Sequence, residues 1–150
     1  MIVLALGLPV SVNDKCPFPD VPVGSDPSDP LYADHYIAVA ASHGIVSGYD
    51  NGRFGPQDAI TRIQLVRMIV NGAAAAGKPF PTYTGTQTVF ADVTPTNPFY
   101  RPVMAAYEAG ILGGQELNGR LYFLPWSPAT RDHVAKMTAN LVHYLEGSGG

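Results

Sequence analysis

The chain carries one sequence pattern twice. Phe18-Pro19-Asp20-Val21 recurs 72 residues on as Phe90-Ala91-Asp92-Val93. The run from Ala41 through Gly44 and Ile45 to Gly48 recurs 66 residues on, from Tyr107 through Gly110 and Ile111 to Gly114. Phe54-Gly55-Pro56 with Ile60-Thr61-Arg62 recurs 69 residues on as Phe123-Leu124-Pro125 with Ala129-Thr130-Arg131. Three anchors in one order at nearly one spacing mark a tandem structural repeat. Repeats of this length are supersecondary units that bury an apolar face against their neighbours. The changes of offset put insertions in 24–30 and 115–122, both turn-rich, where surface loops tolerate them.

Each copy offers two helices. Tyr32, Tyr36, Ile37, Ala40 and Ala41, then Leu65, Met68, Ile69 and Ala73, fall at helical spacing in the first copy. Val103, Met104, Ala106 and Tyr107, then Val134, Met137, Leu141 and Leu145, do so in the second. Gly44 and Gly110 are placed to close the first helix of each copy in the left-handed conformation. Asp50-Asn51-Gly52 and Asn118-Gly119 are tight-turn signals, so a short hairpin is expected between the helices of each copy. The second helices should start near Arg62 and Arg131. Ile37, Ala40, Ile69, Val103, Met137 and Leu141 should be the most buried. The expected fold is mainly α: two helix-loop-helix repeats in a small bundle, with short extended segments and an extended apolar N-terminal arm. The organisation is arm 1–17, repeat 18–77, linker 78–89, repeat 90–146 and flexible tail 147–150.

Composition narrows the function. Nine Lys+Arg against 12 Asp+Glu give a net charge of -3, too little to define a nucleic-acid partner. Cys16 is the single cysteine, which excludes an intramolecular disulfide or a thiolate zinc site and reads as an inert thiol, with intermolecular pairing the alternative. No run reaches the ~20 apolar residues of a membrane span. His35, His43, His133 and His143 form no metalloprotease pattern and read as surface or half-buried helix residues; no serine sits in a nucleophile elbow. Asp26, Asp29 and Asp34 lack calcium-loop spacing. No enzyme activity, cofactor or metal is expected.

The F-x-D-V start, the first helix ending in Gly-Ile, the Ser47-Gly48-Tyr49-Asp50-Asn51-Gly52-Arg53-Phe54-Gly55-Pro56 run and the Ile60-Thr61-Arg62 corner together resemble the S-layer homology (SLH) domain. The match is close over Phe18 to Val70 and looser over Phe90 to Val142. The resemblance implies helical modules, commonly three around a pseudo-threefold axis, that fasten exported proteins to cell-wall polysaccharide. It therefore implies an extracellular, cell-surface location. Two copies are visible here, so a partner subunit completing the helical bundle is a further expectation.

The Thr-Arg corners carry the candidate site. Thr61 and Gln64 form an S/T-x-x-Q capping box, and Thr130 can cap likewise with His133 as a poorer third partner. Arg62 and Arg131 follow at the positive end of the helix dipole, where a cation is disfavoured and should contribute little to folding. A helix start with a guanidinium beside it suits a carboxylate or phosphate. By resemblance, the corresponding Arg of the family's T-R-A-E motif binds acidic, often pyruvylated, wall sugars. The motif here reads Thr61-Arg62-Ile63-Gln64 and Thr130-Arg131-Asp132-His133, without its Glu, and Asp132 offsets Arg131. The alternative is that each Arg pairs with Asp20 or Asp92. Gly48 and Tyr49 join the candidates; Tyr49 and Trp126 present aromatic faces to a sugar ring, though Trp126 reads equally as a core plug.

The expected function is thus a noncovalent anchor binding acidic wall polysaccharide. The alternative is a structural protomer of a surface layer or filament. In that reading Ile2, Val3, Leu4, Leu6, Leu8, Val10 and Val12 form an extended apolar arm that drives self-association by docking on a neighbouring subunit, docking on its own chain being the alternative.

Overall fold

The computed structural model describes residues 1–24 and 33–147. Tyr32, Asp26, Asp29, most of the first insertion and the last three tail residues lie outside them. Among the described residues the fold is mainly helical: α1 (Ile2–Ala5), α2 (Ala33–Ser42), α3 (Arg62–Ala75), α4 (Tyr100–Glu108) and α5 (Arg131–Gly147), with strands β1 (Gln115–Leu117) and β2 (Arg120–Tyr122). The chain divides into two compact units, Met1–Asp58 and Ala59–Gly150. The second helix of the first repeat therefore belongs to the same unit as the whole second repeat.

In the first unit α1 packs on α2, and Ile2, Val3, Phe18, Val21, Ala38, Val39 and Ile45 are buried. The arm does not start extended: Ile2–Ala5 form a helical turn that Gly7 (φ 64) closes, with the Gly7 N–H donating to the Leu4 carbonyl and Leu8 N–H to that of Val3. A glycine at the left-handed stop and a proline two residues later allow a short helix before Pro9, and burial of Ile2 and Val3 favours it. Leu6, Leu8 and Val10 are half-buried, while Leu4 and Val12 are 64% and 57% exposed.

The deepest face of α2 is Asp34, His35, Ala38 and Val39; Ala40 is buried as expected, but Ile37 is only half-buried. His35 explains the turn of the helix. Its Nδ1 lies 2.8 Å from the Asp14 carbonyl, which only accepts, so Nδ1 carries the proton and pins this face inward. This histidine is fully buried. Cys16 is half-buried, and burial pushes its thiol pKa up, which favours the protonated form.

In the second unit α3 packs against α4 and α5 around Ile63, Leu65, Val66, Ile69, Val103, Met104, Met137 and Leu141. Segment 78–89 lies along these helices: Lys78 Nζ donates to the Leu145 carbonyl at 2.6 Å, Phe80 meets Tyr144 edge-on, and the Tyr100 hydroxyl donates to the Gln87 carbonyl at 2.6 Å. β1 and β2 pair antiparallel with Leu117 opposite Arg120, joined by Asn118 (φ 52) and Gly119 (φ 78), the left-handed pair of a type I′ turn. The equivalent segment of the first repeat is a turn without strands, held by Tyr49 N–H on the Arg53 carbonyl.

The repeated Asp closes each copy in one way. Asp20 accepts from the N–H groups of Phe54 (2.9 Å) and Gly55 (2.8 Å), and Asp92 from those of Phe123 and Leu124 (both 2.8 Å). These charge-assisted bonds fix the loop that leads into the second helix. They also hold Asp20 below its ordinary pKa, the two backbone donors being the main cause.

Candidate functional site

The α3 start is built by residues on both sides of it. Thr61 Oγ1 accepts from Gln64 N–H (3.3 Å) while Gln64 Oε1 accepts from Thr61 N–H (2.9 Å), the expected capping box. The next two N–H groups are also taken: Arg62 N–H donates to the Ser127 carbonyl (2.9 Å) and Ile63 N–H to that of Pro125 (3.0 Å). Ala129 N–H donates in turn to the Ile60 carbonyl (2.7 Å) beside a bridge between Thr61 and Pro128. The helix start therefore offers a ligand no open N–H of these residues. It offers the Arg62 guanidinium.

That guanidinium is half-buried. Nε donates to the Phe123 carbonyl at 2.7 Å, and Cζ lies 5.0 Å from the Phe123 ring centroid. Burial lowers its pKa and the Asp92 carboxylate counteracts this; an arginine remains charged throughout. Among the described residues neither Arg62 nor Arg131 has a carboxylate within ion-pair distance. Asp92 and Arg62 meet instead through Phe123, which both hold.

Arg62 lines a cavity of about 710 Å³ together with the 110–115 loop, Leu124, Ser127, His133, Lys136, Met137 and Asn140. The lining holds two permanent cations, Arg62 and Lys136, and no carboxylate. Asn140 Nδ2 donates to the Ile111 carbonyl (2.9 Å), tying α5 to the glycine-containing wall. Gly114 in that wall is glycine for a packing reason: a Cβ there would stand 2.6 Å from the Phe90 ring and 2.7 Å from the Tyr122 carbonyl.

His133 completes the α5 start. Thr130 N–H donates to His133 Nδ1 (3.2 Å) and His133 N–H to Thr130 Oγ1 (3.3 Å), a capping box with histidine in the role of Gln64. Nδ1 must be unprotonated to accept, and burial first, then the Arg62 charge, push the His133 pKa below its ordinary 6.5. Its neutral ring carries the proton on Nε2.

The other candidates fall elsewhere. Arg131 and Thr130 are exposed at the α5 start, and Arg131 does not line the cavity. In the first unit Tyr49, 43% exposed, lines a cavity of about 420 Å³ with Asp20, Arg53, Gln57 and Asp58. Two carboxylates against one arginine suit it poorly to an anion. Gly48 sits against the Phe18 ring, where a Cβ would come within 2.6 Å. Trp126 is not a core plug; it is 70% exposed. The sequence reading missed Lys136, Asn140 and His133 as cavity residues. Their signal was the i, i+3, i+7 spacing of His133, Lys136 and Asn140, which puts three polar groups on one face of α5.

Tandem helix-loop-helix repeats with a cationic cavity at a helix start define a helical-repeat binding module. The S-layer homology domain model matches residues 25–66 and 89–135, more than half of the sequence, and the chain belongs to that family. It is 31% identical over 138 residues to an endoglucanase of Bacillus sp. (strain KSM-635), a match covering 91% of this chain and 13% of that protein. It is 25% identical over 117 residues to the surface-layer 125 kDa protein of Lysinibacillus sphaericus, covering 76% of this chain and 9% of that protein. The chain thus spans a small part of the length of both relatives. SLH domains are non-catalytic modules that attach proteins to the cell wall, and membership makes this chain an extracellular, cell-surface module. No helix among the described residues is long and apolar enough to cross a membrane.

Proposed function

We propose that the chain anchors its protein by binding acidic cell-wall polysaccharide, pyruvylated polymers included, in the Arg62–Lys136 cavity. The observation that carries this reading is the charge of the lining: two cations, a neutral histidine and no carboxylate around about 710 Å³. A carboxylate-bearing sugar gains charge-assisted hydrogen bonds there and displaces no native ion pair. Arg62 and Lys136 are the ligand-contacting cations, Thr61, Gln64 and Thr130 set the helix starts, and Arg131, exposed beside them, is secondary; Gly48 and Tyr49 belong to the first unit and take no part in this cavity.

The reading as a self-assembling protomer draws less support. Ile2 and Val3 are already buried in their own chain, which leaves Met1, Leu4 and Val12 as the exposed large apolar side chains of the arm.

The test is retention on purified wall polysaccharide before and after chemical removal of its acidic groups. Lys136 is exposed and, among the described residues, makes no side-chain hydrogen bond or ion pair, so Lys136→Ala should weaken retention roughly tenfold without unfolding the chain. Equal retention of the variant and wild type, or of intact and neutralised polymer, would sink the proposal.

A further inference from the structure

Trp126 is the one tryptophan of the sequence, and it stands 70% exposed. Its exposure is imposed by a rigid mount. The ring meets the buried Phe99 edge-on at 5.6 Å and 89°, and the residue lies between Pro125 and Ser127-Pro128. The backbone on both sides is fixed, since the carbonyls of Pro125 and Ser127 accept the N–H groups of Ile63 and Arg62. Leu124, two residues before, is held at φ 60 by Asp92, a conformation that costs a leucine free energy. The matching loop of the first repeat has Gly55 and Gln57 at these two positions, so the aromatic platform belongs to the second repeat alone.

The indole borders a cleft of about 570 Å³ lined with Asp92, Asn97, Phe99 and residues 124–128. Leu124 and Ser127 line both this cleft and the Arg62 cavity, so the two spaces share a wall. Their chemistry differs. The cleft has no cation, and its charged group is a carboxylate, which disfavours an acidic sugar. An aromatic face beside polar groups suits the apolar face of an uncharged pyranose. Asn97 gives its carbonyl oxygen to Thr94 N–H (2.7 Å), which leaves its NH₂ as a donor for a sugar hydroxyl.

We infer that Trp126 is a stacking platform for an uncharged pyranose of the same glycan whose acidic residue occupies the Arg62–Lys136 cavity. The inference rests on the anchoring proposal and adds a second subsite to it. Because Trp126 is the single tryptophan, intrinsic fluorescence reports on it directly.

The full chain is titrated with purified pyruvylated wall polysaccharide and with the same polymer after mild acid has removed the pyruvyl ketals. Wild type should show a blue-shifted emission shielded from acrylamide on binding the intact polymer. Trp126→Ala should weaken retention about tenfold and Trp126→Phe less, with the melting temperature lowered by at most a few degrees through the lost Phe99 contact. Lys136→Ala should still show the emission shift, at higher polymer concentration. Wild-type retention with unchanged emission, or equal retention of Trp126→Ala, overturns this subsite and leaves the cationic cavity standing. No retention of wild type overturns both. An emission shift that follows protein concentration without polysaccharide identifies a protein contact and overturns the platform.

Discussion

Arg62 and Phe123 are joined twice over: the guanidinium Nε donates to the phenylalanine carbonyl at 2.7 Å while Cζ lies 5.0 Å from its ring centroid. Asp92 takes the N–H of the same residue at 2.8 Å, so both backbone polar groups of Phe123 are held by side chains distant in sequence. Arg62 is thus a wall of the cavity and a strut of the fold at once. The helix-start cation has two contacts to the loop that its place in the sequence does not show.

Arg62→Ala should cost about 1–2 kcal/mol, from a half-exposed charged hydrogen bond and a cation–π contact. In a chain of this length that lowers the melting temperature by about 2–6 °C. An unchanged melting temperature would show the contact with Phe123 to be energetically idle. For binding assays Lys136→Ala is the cleaner variant.

His133 makes the α5 start sensitive to acid. Its folded pKa lies below the ordinary 6.5, so in the window from 6.5 downward the unfolded chain binds more protons than the folded one. Stability from this group is therefore full above pH 6.5 and is lost as pH falls toward the folded value. Protonation also removes the acceptor for Thr130 N–H and adds a charge near Arg62, Lys136 and, with opposite sign, Asp132. His133→Gln recreates the Thr61–Gln64 box and should abolish this dependence. Urea melts at pH 7.5 and 5.5 check it; an equal pH slope in both proteins would refute the assignment.

Asp20 acts at lower pH and in the same direction. Its pKa is held below the ordinary 3.8 by the Phe54 and Gly55 N–H groups. Its contribution is present above 3.8 and disappears as pH falls through the folded value. Asp20→Asn should lower stability at pH 7 and flatten the acid limb of the stability curve below pH 4. A limb as steep as that of wild type would mean that Asp20 is not the group titrating there.

How much of this was legible follows from which interactions are local. The α3 and α5 starts at Arg62 and Arg131, the Gly44 and Gly110 stops and the Asn118-Gly119 turn are written in residues within one helical turn of where they act. The cavity is not local. It depends on α3 packing beside α5, which brings Arg62 near Lys136 and closes the α3 N–H groups with a loop some 60 residues on. Short-range spacing shows that Arg62 begins a helix but not that its backbone is already occupied. Ile37 and His35 of α2 depart from expectation for a related reason, because His35 is drawn inward by a carbonyl 21 residues away.

Gly110 and Gly114, two of the three glycines of the 110–114 loop, separate conformational from steric cost. At Gly110 (φ 77) a Cβ would enter open space, so Gly110→Ala pays only for the left-handed backbone, about 1–2 kcal/mol. At Gly114 the Cβ would strike the Phe90 ring and the Tyr122 carbonyl within 2.7 Å, and backbone must shift. Gly114→Ala should cost about 3 kcal/mol or more. Chemical denaturation ranks the pair, and the reverse order would contradict this loop geometry.

The arm decides between a local and an intermolecular role. Ile2 and Val3 are buried against their own unit, and each fully buried aliphatic side chain of this size contributes about 1.5–3 kcal/mol. Ordering the short helical turn offsets part of that gain. Ile2→Ser with Val3→Ser should therefore destabilise the first unit by a few kcal/mol, visible as a lower melting temperature at every protein concentration. Leu4→Ser and Val12→Ser remove only exposed apolar surface and should leave the melting temperature in place. Sedimentation velocity on the same four-residue set separates the roles. If the Leu4 and Val12 substitutions dissociate an assembly while leaving the fold intact, the arm serves a neighbour through its exposed side. If only the Ile2 and Val3 pair has an effect, and that effect is unfolding, the arm belongs to the fold of its own chain, which is the outcome its burial predicts.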